Sequence, residues 1–331
     1  MEANTIDFVV TWVDGNDPVW QEAKSRYTPQ TGSDAGSARY QDWEQLKYWF
    51  RSIEKNAPWV NKIHFVTFGH LPKWLNTQHP KLHIVNHEDF IPKEYLPVFN
   101  STAIEIHLHR IPGLSENFVY FNDDTYLMQP CVPEDFFKTG KPVDMPVFEP
   151  IEQNHNGVIY FYHLYNDYSI YKKYFSKKAF LKSIFKYVNP KCGSVAVHNA
   201  LNILNKNFYI QSLHLPKSFQ KTSFERVWND YGETLKKTAE SKFRAYSNNS
   251  PELFRGYQLM TGNFYPRLIR GTILDTRRVA HVKEVLEAGN HRLLCLSDNT
   301  TNDTFEADKK EINASFEKIL PEKCSYELDG E

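Results

Sequence analysis

Ile6-Asp7-Phe8-Val9-Val10-Thr11-Trp12-Val13 is an apolar run that stops at Asp14-Gly15-Asn16-Asp17-Pro18, and Phe118-Val119-Tyr120-Phe121 runs in the same way into Asn122-Asp123-Asp124. Each reads as a buried strand ended by turn formers. Between them, Ile63-His64-Phe65-Val66-Thr67, closed by Gly69, and Leu82-His83-Ile84-Val85 read as two more strands. Trp43, Leu46, Phe50 and Ile53 recur at three- and four-residue spacing, the mark of an amphipathic helix, with Asp42 and Gln45 as a capping pair and Pro58 as its stop. A second helix is expected over residues 102–110, capped by Thr102 with Glu105 at the capping-box position. Strand and helix in alternation predict an α/β fold, Rossmann-like, with a largely parallel sheet flanked by helices. Ligands of such sheets sit beyond the carboxyl ends of the strands. Asp14/Asp17 and Asp123/Asp124 both fall there, so the two sets of carboxylates could share one site.

Downstream, residues 28–37 read as a polar loop and residues 141–150 as a proline-rich stretch without period. Residues 165–188 look helical and interleave Lys172, Lys173, Lys177, Lys178, Lys182 and Lys186 with aromatic and aliphatic residues. This lysine-rich helical insertion reads as a solvated face over an aromatic stripe, or as a surface for anionic lipid headgroups or a lipid-linked phosphate. The last thirty-odd residues are acidic on balance, with one helix carrying Phe305, Ile312, Phe316 and Ile319. Three regions are expected: 1–140, 141–191 and 192–331.

Composition narrows the function. Lys and Arg total 39 against 40 Asp and Glu, a net charge of -1, which argues against a protein that coats nucleic acid. Aromatic residues at 15% exclude an acidic disordered chain. No apolar run reaches the roughly 20 residues of a membrane span, and the first five residues lack the pattern of a secretory signal. The expectation is a cytoplasmic protein, soluble or peripheral at the inner face of the plasma membrane. Cys131, Cys192, Cys295 and Cys324 lack zinc-site or CxxC spacing, so free buried thiols are expected. The sequons at Asn100, Asn248, Asn299, Asn302 and Asn313 are then chance.

Asn122-Asp123-Asp124 is the sharpest local signal. Adjacent carboxylates after a strand suit a divalent cation such as Mg²⁺, although Asn and Asp also simply favour turns. Asp14-Gly15 has the same ambiguity, since Gly15 would let a ligand approach the backbone and a plain turn explains it too. Asp298, after Leu293-Leu294-Cys295-Leu296-Ser297, is a third acid following an apolar run. His214 is a possible general base and Arg244 a possible bidentate grip on phosphate. With 13 histidines in the chain, spacing alone does not single out His214. There is no GxxxxGK[ST] loop, GxGxxG, HExxH or GxSxG.

Taken together, the blocks resemble the stealth family of hexose-1-phosphate transferases, bacterial capsule and exopolysaccharide phosphotransferases related to the animal N-acetylglucosamine-1-phosphotransferase. The resemblance is carried by residues 6–15 and by Tyr40-Gln41-Asp42 through Leu46-Lys47-Tyr48-Trp49-Phe50-Arg51-Ser52-Ile53-Glu54 and Ala57-Pro58-Trp59-Val60. It continues through Pro72-Lys73-Trp74-Leu75-Asn76, Ala103-Ile104-Glu105, His109-Arg110-Ile111, residues 120–124, His214-Leu215-Pro216, Phe243-Arg244 and Cys295-Leu296-Ser297-Asp298. Two positions depart from it. Relatives read Cys-Leu-Asn-Asp where Ser297 stands here, and often place an acid near Ser247-Asn248-Asn249.

The resemblance implies a GT-A-like fold whose first region binds nucleotide-sugar, and transfer of sugar-1-phosphate from a UDP-sugar to a glycan hydroxyl with release of UMP. It implies His214 as base, Arg244 as the phosphoryl clamp and Asp124 as the third catalytic residue. Mg²⁺ or Mn²⁺ would be held by Asp123, Asp124 and Asp298, and substrate by Asp14, Gly15, Arg51, Arg110 and Asn122. The expected acceptor is a lipid-linked oligosaccharide or polysaccharide. The rivals are a metal-dependent glycosyltransferase that releases UDP and a non-catalytic glycan-binding module.

Overall fold

Five of the six residues of the first strand, β1 (Ile6–Thr11), are buried, so it must be covered on both faces, as a parallel sheet requires. The structure, a computed structural model, describes residues 5–28, 42–151, 158–202, 208–298 and 303–328. The expected loop at 28–37, Tyr40-Gln41 and the sequons at Asn299 and Asn302 lie outside these, save Thr28. After β1 come α1 (Pro18–Ser25), α2 (Leu46–Asn56), β2 (Ile63–Thr67), β3 (Leu82–Asn86), the one-turn α3 (His87–Phe90), α4 (Ser101–Glu105), β4 (Asn117–Asn122) and β5 (Thr125–Leu127). The middle of the chain forms β6 (Phe137–Lys138), β7 (Lys141–Asp144), β8 (Phe148–Pro150), α5 (Ile159–Tyr171), α6 (Lys177–Tyr187), α7 (Ser194–Asn202) and β9 (Phe208–Ile210). It ends with β10 (Lys217–Gln220), α8 (Lys221–Ala239), α9 (Glu252–Met260), β11 (Tyr265–Pro266), β12 (Gly271–Asp275), α10 (Val279–Ala288), β13 (Leu293–Ser297) and α11 (Phe305–Ile319).

The main sheet has the order β10-β4-β1-β2-β3. β1 runs parallel to β2 and β4, and β2 to β3, while β10 joins antiparallel at the edge. The fold is therefore α/β with a largely parallel sheet, as the alternation predicts. Side chains alternate between faces: Phe8, Val10, Phe65 and Phe121 pack with Trp49, Phe50 and Ile53 of α2 and with Phe316 of α11. Val9, Val66, Phe118 and Tyr120 pack on the other face with Leu108, Phe224 and Phe254. Register sets Thr11 beside both Val66 and Asn122, so the chain leaves β1 and β4 side by side. A second sheet, β12-β13-β5, stands at that end, with Cys295 opposite Thr125.

Several local expectations change. Asp42 does not cap α2; Gln45 is the N-cap residue and makes no side-chain cap bond. Its amide accepts from the Tyr126 hydroxyl at 2.9 Å and donates to Asn313 at 2.9 Å instead. The second expected helix is capped by Asn100, ends at Glu105 and gives way to a 3₁₀ turn over Leu108–Arg110. α1 starts inside the acidic turn because Pro18 occupies its first position and Asp17 Oδ1 accepts from the Trp20 N–H at 2.7 Å. The lysine-rich stretch is two helices broken by a 3₁₀ turn at Lys172–Tyr174, and residues 141–150 supply β7 and β8. The C-terminal helix and four free, buried cysteines match expectation.

Candidate active site

Asp123 and Asp124 occupy the turn from β4 into β5. β13 pins that turn, since the Leu296 N–H donates to the Asp124 carbonyl at 2.9 Å. The Asp124 side chain then meets two groups from other parts of the chain. Its Oδ2 lies 3.3 Å from Nε2 of His214, on the segment before β10, and accepts from the Cys295 thiol at 3.7 Å. Asn122 Nδ2 lies 3.3 Å from the same histidine nitrogen. Asp124, His214 and Cys295 offer ligand atoms all within 4.8 Å of one another. The other Asp124 oxygen, Oδ1, is buried and has no hydrogen-bond partner among the described residues.

Electrostatics tighten the picture. The protein mass around Asp123 disfavours its charge and Asp124 and Asp42 repel it, so its carboxyl is pushed up to about 7. Asp42, which desolvation and then Asp14 push up, belongs to the same acidic ring. The protein around His214 pulls it down, but the charge of Asp124 and the hydrogen bond to it outweigh that, and the imidazole is held above its ordinary value. Burial and then Asp124 drive the Cys295 thiol far up, so it stays protonated.

Beneath these groups Tyr120 donates to the buried Glu105 carboxyl at 2.7 Å, and Thr11 Oγ1 lies 3.1 Å from the same hydroxyl. Burial raises Glu105, opposed by that bond and by the charges of Arg244, Lys217 and His214, so the three cations converge on this end of the sheet. Arg244 Nη2 donates to Ser101 Oγ at 2.6 Å. Asn248 holds the loop after Arg244, its Oδ1 accepting from the Ala245 N–H and from Asn100 Nδ2, each at 2.9 Å. Asn249 donates to Asp167 at 2.8 Å. Both asparagines are buried, so this stretch of the chain is a structural brace.

The remaining sequence candidates scatter. Asp14 belongs to the rim: its N–H donates to His70 Nε2 at 2.7 Å, and its Oδ1 accepts from the Asn16 N–H at 2.8 Å. The Gly15 carbonyl accepts from Gln21 at 2.8 Å. Asp298 accepts from the Trp43 indole at 3.1 Å and from Thr276 Oγ1 at 3.4 Å, and among the described residues it is outside the ligand cluster. Arg51, expected at the substrate, is turned toward the C-terminal segment instead. It is buried, with Nε and Nη2 on the Glu327 carboxylate at 2.7 and 2.9 Å and Nη1 on Glu317 and the Leu320 carbonyl at 3.2 and 2.7 Å. Arg110 lies over the Trp228 ring, 4.9 Å from its centroid. Asp42, Glu105 and Cys295 are the groups at this end that residue-by-residue reading missed. Asp42 passed as a cap and Glu105 as half of a capping box.

The donor set fits a hard divalent cation. Asp124 Oδ1 has no hydrogen-bond partner among the described residues, and Asp123 is crowded by like charge. No helix among the described residues is long and apolar enough to cross a membrane.

Comparison with known proteins agrees with the blocks. Residues 4–32 match Stealth protein CR1, conserved region 1, and residues 39–144 match Stealth protein CR2, conserved region 2. Capsular polysaccharide phosphotransferase WcwK of Streptococcus pneumoniae is 37% identical over 330 residues, covering 98% of this chain and 99% of the relative. Receptor polysaccharide phosphotransferase WefC of Streptococcus oralis is 36% identical over 335 residues, covering 98% and 100%. Exopolysaccharide phosphotransferase cps2G of Lactiplantibacillus plantarum is 33% identical over 333 residues, covering 97% and 96%. Among solved structures, galactosyltransferase LgtC with donor and acceptor sugar analogues aligns over 96% of both chains at 9% identity and TM-score 0.40. The bifunctional glycosyltransferase WbbM aligns over 97% of this chain and 50% of its own at 10% identity and TM-score 0.41.

Proposed function

The chain belongs to the Stealth family, and from that premise we propose that it transfers hexose-1-phosphate from a UDP-sugar to a glycan hydroxyl in capsular or exopolysaccharide synthesis, releasing UMP. The observation that carries this reading is the Asp124–His214 pair, 3.3 Å apart at the carboxyl end of the sheet and beside an unpartnered carboxylate oxygen. The acceptor hydroxyl attacks the β-phosphorus in line. The oxygen–phosphorus bond forms as the bond from that phosphorus to the bridging oxygen of UMP breaks. With Nε2 of His214 on Asp124, Nδ1 takes the hydroxyl proton, and the Asp124 charge stabilises the imidazolium that results. Arg244 grips the equatorial phosphoryl oxygens, while Ser101 fixes its guanidinium. Asp123 and Asp124 would hold Mg²⁺ or Mn²⁺, which when bound supplies charge neutralisation for the pyrophosphate. Asp14, Gly15, Asn122 and Asp298 line the rim and contact the donor.

The acceptor is lipid-linked, and the protein meets an anionic leaflet through α6 and α7, which touch each other. Leu181, Phe185, Val197 and Leu201 on these helices are 68, 79, 63 and 73% exposed, an unusual display for a water-facing surface. Residues 158–202 carry seven lysines and a single acid, Asp167, which is buried. That is the composition of an interfacial surface. Lys186 is apart from it, donating to the Gly262 and Phe264 carbonyls at 2.6 and 3.2 Å. A Leu181→Glu/Phe185→Glu protein should lose co-sedimentation with phosphatidylglycerol vesicles; undiminished binding places the contact elsewhere.

The transfer reading is tested by nucleotide product analysis with a panel of UDP-hexoses, Mg²⁺ or Mn²⁺, and a lipid-linked oligosaccharide. UMP formed in step with a new phosphodiester supports it. UDP with a glycosidic bond assigns the chain to glycosyl transfer instead, and a glycan binder without nucleotide or cation affinity fails both.

A further inference from the structure

Beside the proposed reacting groups stands a wall of exposed tyrosines with no place in the mechanism above. Tyr160 and Tyr162, from the first turn of α5, are 41 and 44% exposed, and Tyr246, two residues after Arg244, is 56% exposed. The first two turns of α5 are fixed between the two loops that carry His214 and Arg244. On one flank the Tyr160 hydroxyl donates to the carbonyl of Ser212, two residues before His214, at 3.3 Å. On the other, His163 Nε2 lies 2.8 Å from the Ala245 carbonyl, and Asn166 Nδ2 donates to the carbonyls of Tyr246 and Asn248 at 2.8 and 2.9 Å. Tyr162 and Tyr246 meet edge to face, with ring centroids 4.8 Å apart and planes at 68°.

We propose that Tyr162 and Tyr246 form the subsite for the acceptor sugar. This deepens the phosphotransferase reading and rests on it for the direction in which the acceptor hydroxyl points. A pyranose has an apolar face of C–H bonds that packs on an aromatic face, while its hydroxyls project at the edge, where phenol oxygens and backbone groups meet them. The wall is uncharged, so it suits a neutral ring rather than the donor's pyrophosphate, which needs the cations and carboxylates next door. Its rings are braced by α5 rather than hung from a free loop, so a ring that docks there does not have to order them first. The loops it bridges end at the groups that would take the proton and hold the phosphoryl. A sugar on this wall therefore presents its edge to both.

The test separates acceptor from donor without relying on turnover. Calorimetric titration would use the repeat-unit oligosaccharide released by mild acid from the native cell's lipid-linked intermediates, and, separately, UMP with Mg²⁺. Wild-type protein would be compared with Tyr162→Ala, Tyr246→Ala, Tyr162→Phe and Tyr246→Phe, each checked for an unchanged melting temperature. The expected result is that each alanine variant weakens oligosaccharide binding by about tenfold, the phenylalanine variants by much less, and none alters UMP binding. Oligosaccharide affinity untouched by the alanine variants, or absent in wild type, overturns the proposal. So does a matching loss of UMP affinity, which would make the wall a uracil platform. Because no transfer is measured, failure of the phosphotransferase reading leaves this result legible.

Discussion

The strands of the main sheet carry carboxylates at both ends, and the two ends treat them oppositely. At the amino end, Asp7 is fully buried, and both its oxygens are occupied. Asn61 donates to Oδ1 at 2.7 Å, the Ser115 N–H donates to Oδ2 at 2.7 Å, and His64 Nε2 lies 3.1 Å from Oδ2. Burial alone would raise Asp7, yet the bonds from His64, Asn61 and Ser115 hold it below the ordinary carboxylate range. At the carboxyl end, Asp124 keeps one buried oxygen without a partner among the described residues, and Asp123 is pushed up to about 7. A carboxylate that only stabilises the fold is complete within the chain. One that serves a ligand is left incomplete, and the incompleteness is where the chemistry is expected.

The comparison breaks most readily through activity. His214→Ala and Asp124→Ala should each lower UMP release by about a thousandfold or more while melting like the parent. Near-normal turnover in either folded variant removes that residue from the mechanism. Arg51→Ala should do the reverse. By stranding Glu327 it should cost about 3–5 kcal/mol in urea unfolding, with kcat/KM per folded molecule within about twofold of the parent. A large kinetic loss in folded Arg51→Ala would return it to the site.

The histidines sharpen the same contrast. Burial holds His87 and His107 down to about 4, whereas Asp124 holds His214 up. Between the ordinary value near 6.5 and 4 the unfolded chain binds more protons at His87 and His107. Stability should therefore fall as pH drops through that window, by about 3 kcal/mol for His107. His107→Gln should flatten the profile, and an unchanged slope would show that His107 stays uncharged in both states. Next in size, Asp7→Ala should destabilise by about 2 kcal/mol through the donors it strands, while Asp124→Asn should be neutral or slightly stabilising. Equal losses would erase the distinction between the two ends. Smallest, saturating Mg²⁺ or Mn²⁺ should raise the melting temperature by about 2 °C in wild type and Asp7→Asn but not in Asp124→Asn. A shift that survives Asp124→Asn moves the cation elsewhere.

Much of this was legible in the chain because local rules and the global fold agreed. Strands β1 and β4 are apolar runs that lead into acids and β2 is one closed by Gly69, and their residues are buried to within one or two positions of the expected bounds. α11 shows its stripe of Phe305, Ile312 and Phe316 openly. Legibility failed where one residue type serves two ends. Asp17-Pro18 is both a turn and a helix start, and Asp42 and Glu105 fit capping positions although the fold turns them toward the site. Arg51 stands in the middle of a family block yet is spent on Glu327, 276 residues away, a pairing that no spacing rule reaches. The ligand cluster likewise joins residues 124, 214 and 295, so neither the thiol beside Asp124 nor the placement of Asp298 outside the cluster could be read from order along the chain.

The fate of a labelled β-phosphate decides which bond breaks. UDP-sugar carrying radioactive phosphorus only at the β position would be incubated with the protein, Mg²⁺ and a lipid-linked oligosaccharide, and the products separated into nucleotide and glycan. Sugar-1-phosphate transfer puts the label in the glycan, stable to phosphatase as a diester, with unlabelled UMP released and no transfer in Asp124→Ala. Label retained in UDP, with an unlabelled sugar on the acceptor, would contradict it.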